Sequence, residues 1–476
     1  MPSIKDILDH HAEDPAKLIQ VLCVDTNETR APEVYKEEYD GTRTRRLKSV
    51  GMRPTKTIEI VNDQGVKTGE TKTIYPAKLI FPFPKKIVRT ATHFLFGGTM
   101  SVSSDENNDA INEFTRVWTN DLKMQTNMKR LARICMTETK AALLFYPQPV
   151  KDEEDPTKTK MLKLRCMVLD KDSGEFYPHF DDYGDMDAFI RKFQVSDIEG
   201  KQIEKAVIYT KDMTLYLTNE SGWDHEKGKK ENLFGKIPVV YVEQDLPEWE
   251  DVAALIDDFE TRISRLADTN DYFAEPLLKI FGDINKAPSK EEVGKVVHFE
   301  MKQDLDGKIS HGDAEYAVWD HTPESIKLEL ETVKDGIFSG SSTPDLSFNN
   351  VMDVKVTSGK ALILMFMDAL IKKEEKGEIF FDAIKRSVSV VVAGITGYTT
   401  IKLEDQLAKD NVKINFTGQL PDDLAETIDT LVTATGGKAI LSQESAASIS
   451  PFTSDPKEEN KRLKGEKPVP NESFNM

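Results

Sequence analysis

The stretch TPDLSFNNVMDVKVTSGKALILMFMDALIKKEEKGEIFFDAIKRSVSVVVAGI, residues 343–395, decides how the rest of the chain is read. It opens on Thr343-Pro344-Asp345, and its Asn349-Asn350 pair readily takes turn conformations, so residues 343–357 read as a loop held between helices. Ser358 can N-cap the run that follows, where Gly359 costs little at the first helical position. Ala361 to Met367 is apolar on every side, and such a segment has to be covered all round by its own chain or by neighbouring subunits. If the helix continues to Ile395, its roughly 38 residues span about 57 Å at 1.5 Å per residue, and Gly377 is expected to bend it. The apolar block 361–371 is shorter than the roughly 20 residues that cross a bilayer. Lys372, Lys373, Glu374 and Glu375 close it. The expectation is a core helix with no membrane partner.

Outward from that stretch, 476 residues suffice for two to four domains. The 63 basic and 82 acidic residues leave a net charge of −19, which argues against gripping nucleic acid over the whole surface. Contact with DNA is expected to be loose or local. Cys23, Cys135 and Cys166 are odd in number, widely spaced and without a CxxC, so neither a disulfide framework nor a zinc site is indicated. The first residues, MPSIKDILDHHAED, lack a basic region followed by an apolar stretch, and the expectation is a chain made and used in a cytosol.

Residues 3–22 read as two short helices capped by Ser3 and Asp14, and residues 55–74 as a hairpin turning at Asn62-Asp63-Gln64-Gly65. His10 and His11 are sequence neighbours, face different sides of a helix and read as a solvated pair. Ile87, Ala91, Phe94 and Leu95 recur at helical spacing up to Gly97-Gly98. Residues 106–148 hold a helical pair, marked by Ile111, Phe114, Val117 and Trp118, then by Met128, Leu131, Ala132 and Cys135. That pair runs into the strand AALLFY at 141–146. From 160 to 243 short alternating strands indicate an antiparallel β region. Asp181, Asp182, Asp185 and Asp187 crowd one loop there without the ligand order of an EF-hand, which favours a solvated acidic loop over a cation site.

Asp245 and Glu248 have capping-box spacing around Pro247. Val252, Leu255, Phe259, Ile263 and Leu266 then step by three and four, predicting an amphipathic helix of about 25 residues. Residues 284–320 form a small charged module, with strands KVVHFEM and AEYAVW around the turn Asp304-Leu305-Asp306-Gly307. A second amphipathic helix starts at Thr322-Pro323, carries Ile326, Leu330, Val333 and Ile337, and ends near Gly340. Past the long helix come a strand at 412–418, a helix opened by Leu420-Pro421-Asp422-Asp423, the short helix SQESAASI, and a charged, Pro-containing tail expected to be disordered.

No Walker A, HExxH, GxSxG or GxGxxG sequence is present. Gly436-Gly437-Lys438 lacks the first glycine of a phosphate loop and reads as a helix stop. In so acidic a chain, pairs such as Asp257-Asp258 or Glu374-Glu375 arise by chance, so no catalytic residue, metal or cofactor is assigned.

The order of PKKIVRTATHFLFGG, IPVVYV leading into DLPEWEDVAALIDDFETRISRLADTNDYFAEPLLKIFG, TSGKALILMFMDALIKKEEK and INFTGQLPDDLAETIDTLVTATGGKAILSQES resembles the portal proteins of tailed double-stranded DNA bacteriophages, of the siphovirus type. One departure is Met136-Thr137-Glu138-Thr139, where such proteins often carry a Gly-containing turn.

The resemblance implies an α+β portal fold with wing, helical stem, small α/β clip and helical crown. Subunits are expected to close into a ring, typically of twelve, around a DNA channel at one capsid vertex. On that reading residues 1–245 and 358–418 are wing, 246–275 and 322–342 stem helices, 276–321 clip, 343–357 tunnel loop, 419–464 crown and 465–476 a disordered tail. Asn349, Asn350, Val351, Met352, Asp353 and Lys355 would face the channel, while Val252, Leu255, Phe259, Ile263, Leu266, Ile326, Leu330, Val333 and Ile337 would pack the stem. Expected partners are double-stranded DNA, the terminase large subunit, the major capsid protein and scaffold, and head-completion or adaptor proteins. The expected location is the virion, after assembly in the host bacterial cytoplasm. Twelve chains would carry about −228, so that a polyanion slides instead of sticking. The competing readings are another virion connector and an acidic hydrolase without a recognisable motif.

Overall fold

The computed structural model describes residues 3–24, 32–42, 54–61, 67–104, 109–151, 159–274, 278–281, 302–303, 309–310, 313–316, 323–345, 366–398, 412–416, 442–443, 445–446 and 461–462. The fold is a mixed one of helices and antiparallel sheets. At its N-terminus, α1 (Ile4–His10) and α2 (Pro15–Leu22) start where Ser3 and Asp14 accept the backbone N–H groups of Asp6 and Lys17.

These two helices cover a five-stranded meander, β6 (Glu175–Phe180), β7 (Met186–Ser196), β8 (Gln202–Thr210), β9 (Met213–Asn219) and β10 (Trp223–Glu231). Two of its turns share one chemistry. Asp181 and Asp197 each accept two backbone N–H groups of their own turn, and Gly184 and Gly200, both at φ 84°, supply the left-handed residue. In the first turn, therefore, Asp181 is held by N–H donors. Asp187 pairs with His179 and accepts the N–H of Ile4, tying α1 to the sheet.

Strand alternation gives each sheet two apolar faces. Ala188, Ile190, Ala206 and Ile208 meet α1 and α2, whereas Phe189 faces a three-stranded sheet of β4 (Lys140–Lys151), β5 (Thr159–Leu169) and β11 (Val239–Glu243). Within β4, Ala142 and Leu144 point back at the meander while Ala141, Leu143 and Phe145 enter the main core. Residues 160–243, expected as one β region, are thus two stacked sheets, with β4 and β11 at the junction.

The main core gathers α3 (Pro32–Asp40), α4 (Phe83–Phe96), α5 (Asp109–Arg116), α6 (Met124–Glu138) and the long helix near the C-terminus. Between α5 and α6 the chain widens into one π-helical turn, Val117–Asp121. Helix α6 ends at Thr139, whose φ of 68° is left-handed. A threonine therefore occupies the conformation for which a glycine turn is the usual solution. The strand expected at 412–418 is β16 (Lys413–Phe416), and it pairs with β3 (Met100–Ser103).

Cys23, Cys135 and Cys166 form no disulfide, and burial pushes the Cys166 thiol up to about 11. The described residues include no helix long and apolar enough to cross a membrane.

The hairpin expected at 55–74 is β1 (Lys56–Val61) with β2 (Lys67–Ile74), and its described side chains all face solvent. Two long helices, α7 (Ala253–Ala274) and α8 (Pro323–Gly340), bracket a small β module. There β12 (Leu278–Phe281) pairs with β15 (Asp313–Tyr316), and β13 (Lys302–Gln303) with β14 (Ile309–Ser310) across the expected turn at 304–307. KVVHFEM lies outside the described residues.

The long helix α9 runs without a break from Met367 to Tyr398. Gly377 does not interrupt it; a Cβ there would lie 2.7 Å from the Phe381 ring, so the glycine makes room for that ring. Of the segment 361–367, expected to be covered all round, 361–365 lie outside the described residues, Phe366 is buried against Phe94, and Met367 is 43% exposed. Complete cover is found instead at 387–391, five consecutive buried residues that span more than one helical turn.

Candidate functional site at the root of the helical pair

Helices α7 and α8 lie antiparallel and come closest where they leave the body. A Cβ at Gly340 would stand 2.9 Å from Val252, and one at Gly336 would stand 3.5 Å from Leu255. These two glycines, four apart on one face, let the backbones approach. Farther out Arg262 pairs with Glu329 across the helices. Val252, Phe259 and Ile337 are buried, while Ile263, Leu266, Ile326, Leu330 and Val333 are half-buried. Leu255 stays 37% exposed despite its contact with Gly336. Phe259, Leu266, Ile326 and Leu330 line a groove of about 360 Å³ between the helices.

The capping box expected at Asp245 and Glu248 does not form. A 3-10 turn at Glu250–Val252 precedes α7, which has 22 residues. The Glu248 carboxylate instead reaches α9, 2.9 Å from Lys372 Nζ and 2.8 Å from Lys376 Nζ. Lys372 Nζ also donates to the Ser341 carbonyl at the end of α8 (2.7 Å), and Lys376 Nζ to the side chain of Gln244 (3.2 Å). Burial alone would raise the Glu248 carboxyl; the two ammonium groups outweigh it and hold it below the usual carboxylate range. Next to it, Trp249 donates its indole N–H to Glu38 on α3 in a buried bond of 2.9 Å. Sequence reasoning missed Glu248 and Glu38, because each partner lies far along the chain.

A second joint holds the start of the loop. After α8, Ser342 turns left-handed at φ 48° and the Thr343 N–H bonds the Phe338 carbonyl. Asp345 then receives Lys86 of α4 (2.8 Å) and Lys334 of α8 (3.0 Å), both of which also lie over the Phe338 ring. Burial would raise this carboxyl too, and the two lysine hydrogen bonds keep it below its ordinary value. The chain resumes at Phe366, whose ring packs 5.6 Å from Phe94. Both ends of segment 346–365 are therefore anchored on α4, at residues eight apart and about 12 Å along the helix. Asn349, Asn350, Val351, Met352, Asp353 and Lys355 lie within that segment, outside the described residues, as does nearly all of 419–476.

A third contact is a seam. The extended segment 77–81 runs antiparallel to α7, and its alternate N–H groups meet successive turns of the helix. Ala77 donates to Asp268 (2.7 Å), Leu79 to Ser264 Oγ (2.9 Å) and Phe81 to Glu260 (3.0 Å). Two residues of strand advance about 6.6 Å and four of helix about 6.0 Å, so the rungs match. Pro76 and Pro82 flank the seam. Among the described residues no cluster of three or more His, Cys, Asp or Glu is arranged to hold a metal ion.

A helical pair rooted in a two-sheet body, with a β module beyond it and a loop at its base, is the arrangement on which the comparisons bear. The family model described as phage portal protein, SPP1 Gp6-like, matches residues 39–468. The chain belongs to that portal protein family. Two solved structures are similar to this portal chain at 10% identity, over 82% of it and 91% of each of theirs: a chain in the neck of an empty GTA particle computed with C6 symmetry (TM-score 0.41) and one in the virion of a native gene transfer agent particle (TM-score 0.39). No curated protein matches the portal chain.

Proposed function

We propose that this portal-family chain forms the ring at one capsid vertex through which double-stranded DNA is packaged and later ejected. The observation that carries the reading lies at the stem root: Asp345 and Phe366, on either side of residues 346–365, both meet one helix, beside the junction of α7 and α8. In this reading α7 and α8 are the stem, the β12–β15 module is the clip that docks terminase and then the head-completion proteins, and 343–357 is the tunnel loop. Residues 1–245 with 358–418 form the wing and 419–464 the crown. Asn349, Asn350 and Lys355 touch phosphates in passing, with Val351, Met352 and Asp353 as their neighbours. ATP hydrolysis belongs to a separate terminase. The major capsid protein and scaffold surround a ring of about twelve copies, each carrying −19, which repels the passing polyanion.

Native mass and negative-stain imaging of the purified chain test the class. Rings with a central hole near the mass of twelve chains support it, and a monomer at every concentration and salt, with or without scaffold, argues against it. Lys355→Glu is expected to leave rings intact while lowering packaged DNA. Failure to assemble would instead remove residue 355 from the channel.

A further inference from the structure

The hairpin β1–β2 is amphipathic although none of the described residues of its own chain covers it. Cross-strand pairs put Thr57 with Thr73 and Glu59 with Thr71 on one side, and Lys56 with Ile74 and Ile58 with Lys72 on the other. Ile58 is 46% exposed and Ile74 43%, and Ile60 follows two residues along β1. A side built mainly of isoleucine and lysine, with Glu70 next to Lys72 at its turn end, is backed by one of threonine and glutamate and is patterned for a partner that is apolar and largely acidic.

The first half of α9 offers that chemistry. Met367, Ile371, Glu374, Glu378 and Phe381 follow steps of four and three, which places them on one stripe of the helix, with Asp382 at its edge paired with Lys385. All six are exposed, Ile371 by 50%. The stripe covers about 22 Å of helix, and the six residues of β1 cover about 20 Å. Lengths, apolar content and opposite charge therefore correspond. The seam at 77–81 fixes the arm that carries the hairpin to its own α7, and no described residue of the same chain covers the isoleucine–lysine side.

We infer that the isoleucine–lysine side of the hairpin packs on the exposed α9 stripe of a second copy of this chain, head to tail. One surface meeting a different surface on the next copy generates a ring when the rotation closes. The inference rests on the ring reading above and names its subunit contact. It also links the stem helix of one copy, through the seam, to the long helix of the next.

Paired cysteines test it. Ile60→Cys with Ile371→Cys in one chain, oxidised in the assembled protein, is expected to give a ladder of covalent oligomers under denaturing conditions. Each single variant, still carrying Cys23, Cys135 and Cys166, should give none. Independently, Glu374→Lys with Glu378→Lys should lower the ring fraction several-fold, and adding Lys56→Glu with Lys72→Glu should restore it. All these positions are exposed, so the thermal unfolding of the monomer should be unchanged. Rings seen by negative stain without a ladder or a rescue would overturn this contact and leave the portal reading standing. A wild-type chain that forms no rings would overturn both.

Discussion

The two halves of α9 are built on opposite principles. From Ser387 to Val391 the helix is enclosed, all five residues buried, and the Lys236 ammonium bonds the Ser389 hydroxyl at 2.5 Å. Gly394 lies so close to Phe234 that an added Cβ would come within 2.7 Å of its ring. From Met367 to Phe381 the helix is open on one side and held on the other by ions, Lys372 and Lys376 gripping Glu248. Apolar burial has no preferred direction and holds a helix wherever it fits, whereas an ion pair fixes which turn meets which partner. The enclosed half is a foundation, and the ionic half sets the register between the long helix and the helical pair.

The largest effect should come from breaching the enclosed half. Val391→Lys puts an unpaired charge where no water reaches, and a loss of more than about 4 kcal/mol is expected, seen as loss of soluble protein or collapse of the urea midpoint. Glu248→Ala, which strands Lys372 in a buried site, should cost about 3 kcal/mol. Its pH dependence separates the halves. The Glu248 carboxyl is depressed in the folded chain, so its contribution is complete above the unfolded value of about 4.3 and is lost as pH falls through the lower folded value. Wild-type melting temperature should thus fall steeply below about pH 4, and the variant's less so; identical slopes would show that Glu248 is not the acid-sensitive joint. Asp345→Asn keeps the shape and removes the charge, for an expected loss of about 1 kcal/mol, with protease cutting within 346–365 as the more sensitive readout. The smallest effect has the opposite sign. Thr139→Gly relieves a left-handed threonine and should stabilise by about 0.5 kcal/mol, raising the urea midpoint slightly.

What the sequence disclosed follows the range of the forces involved. Ser3 and Asp14 as caps and the helices on either side of the small β module are local, and each was legible from neighbouring residues. Glu248 was misread for the same reason. Its spacing from Asp245 is that of a capping box, but the two lysines that claim it lie on a helix far along the chain. The alternation that put Phe189 and Ile190 on different faces was visible, yet nothing local said that a second sheet would cover Phe189. Residues 361–367 are apolar throughout while 387–391 carry two serines, yet packing encloses the second stretch and leaves Met367 exposed. The missing glycine at Met136–Thr139 was a sound signal: the backbone there is left-handed without one.

The seam between residues 77–81 and α7 works as a vernier. Its two scales differ by about 0.6 Å per division, so three rungs stay in register while a longer row would drift out of hydrogen-bonding range. Ile256 stands where the next mark would fall toward the body, and it has no carboxylate or hydroxyl to offer. A slide of the arm toward the body has no resting place short of one full division, about 6 Å, and even there one rung goes unmet. The seam is a detent: the exposed hairpin beyond it is either seated or released.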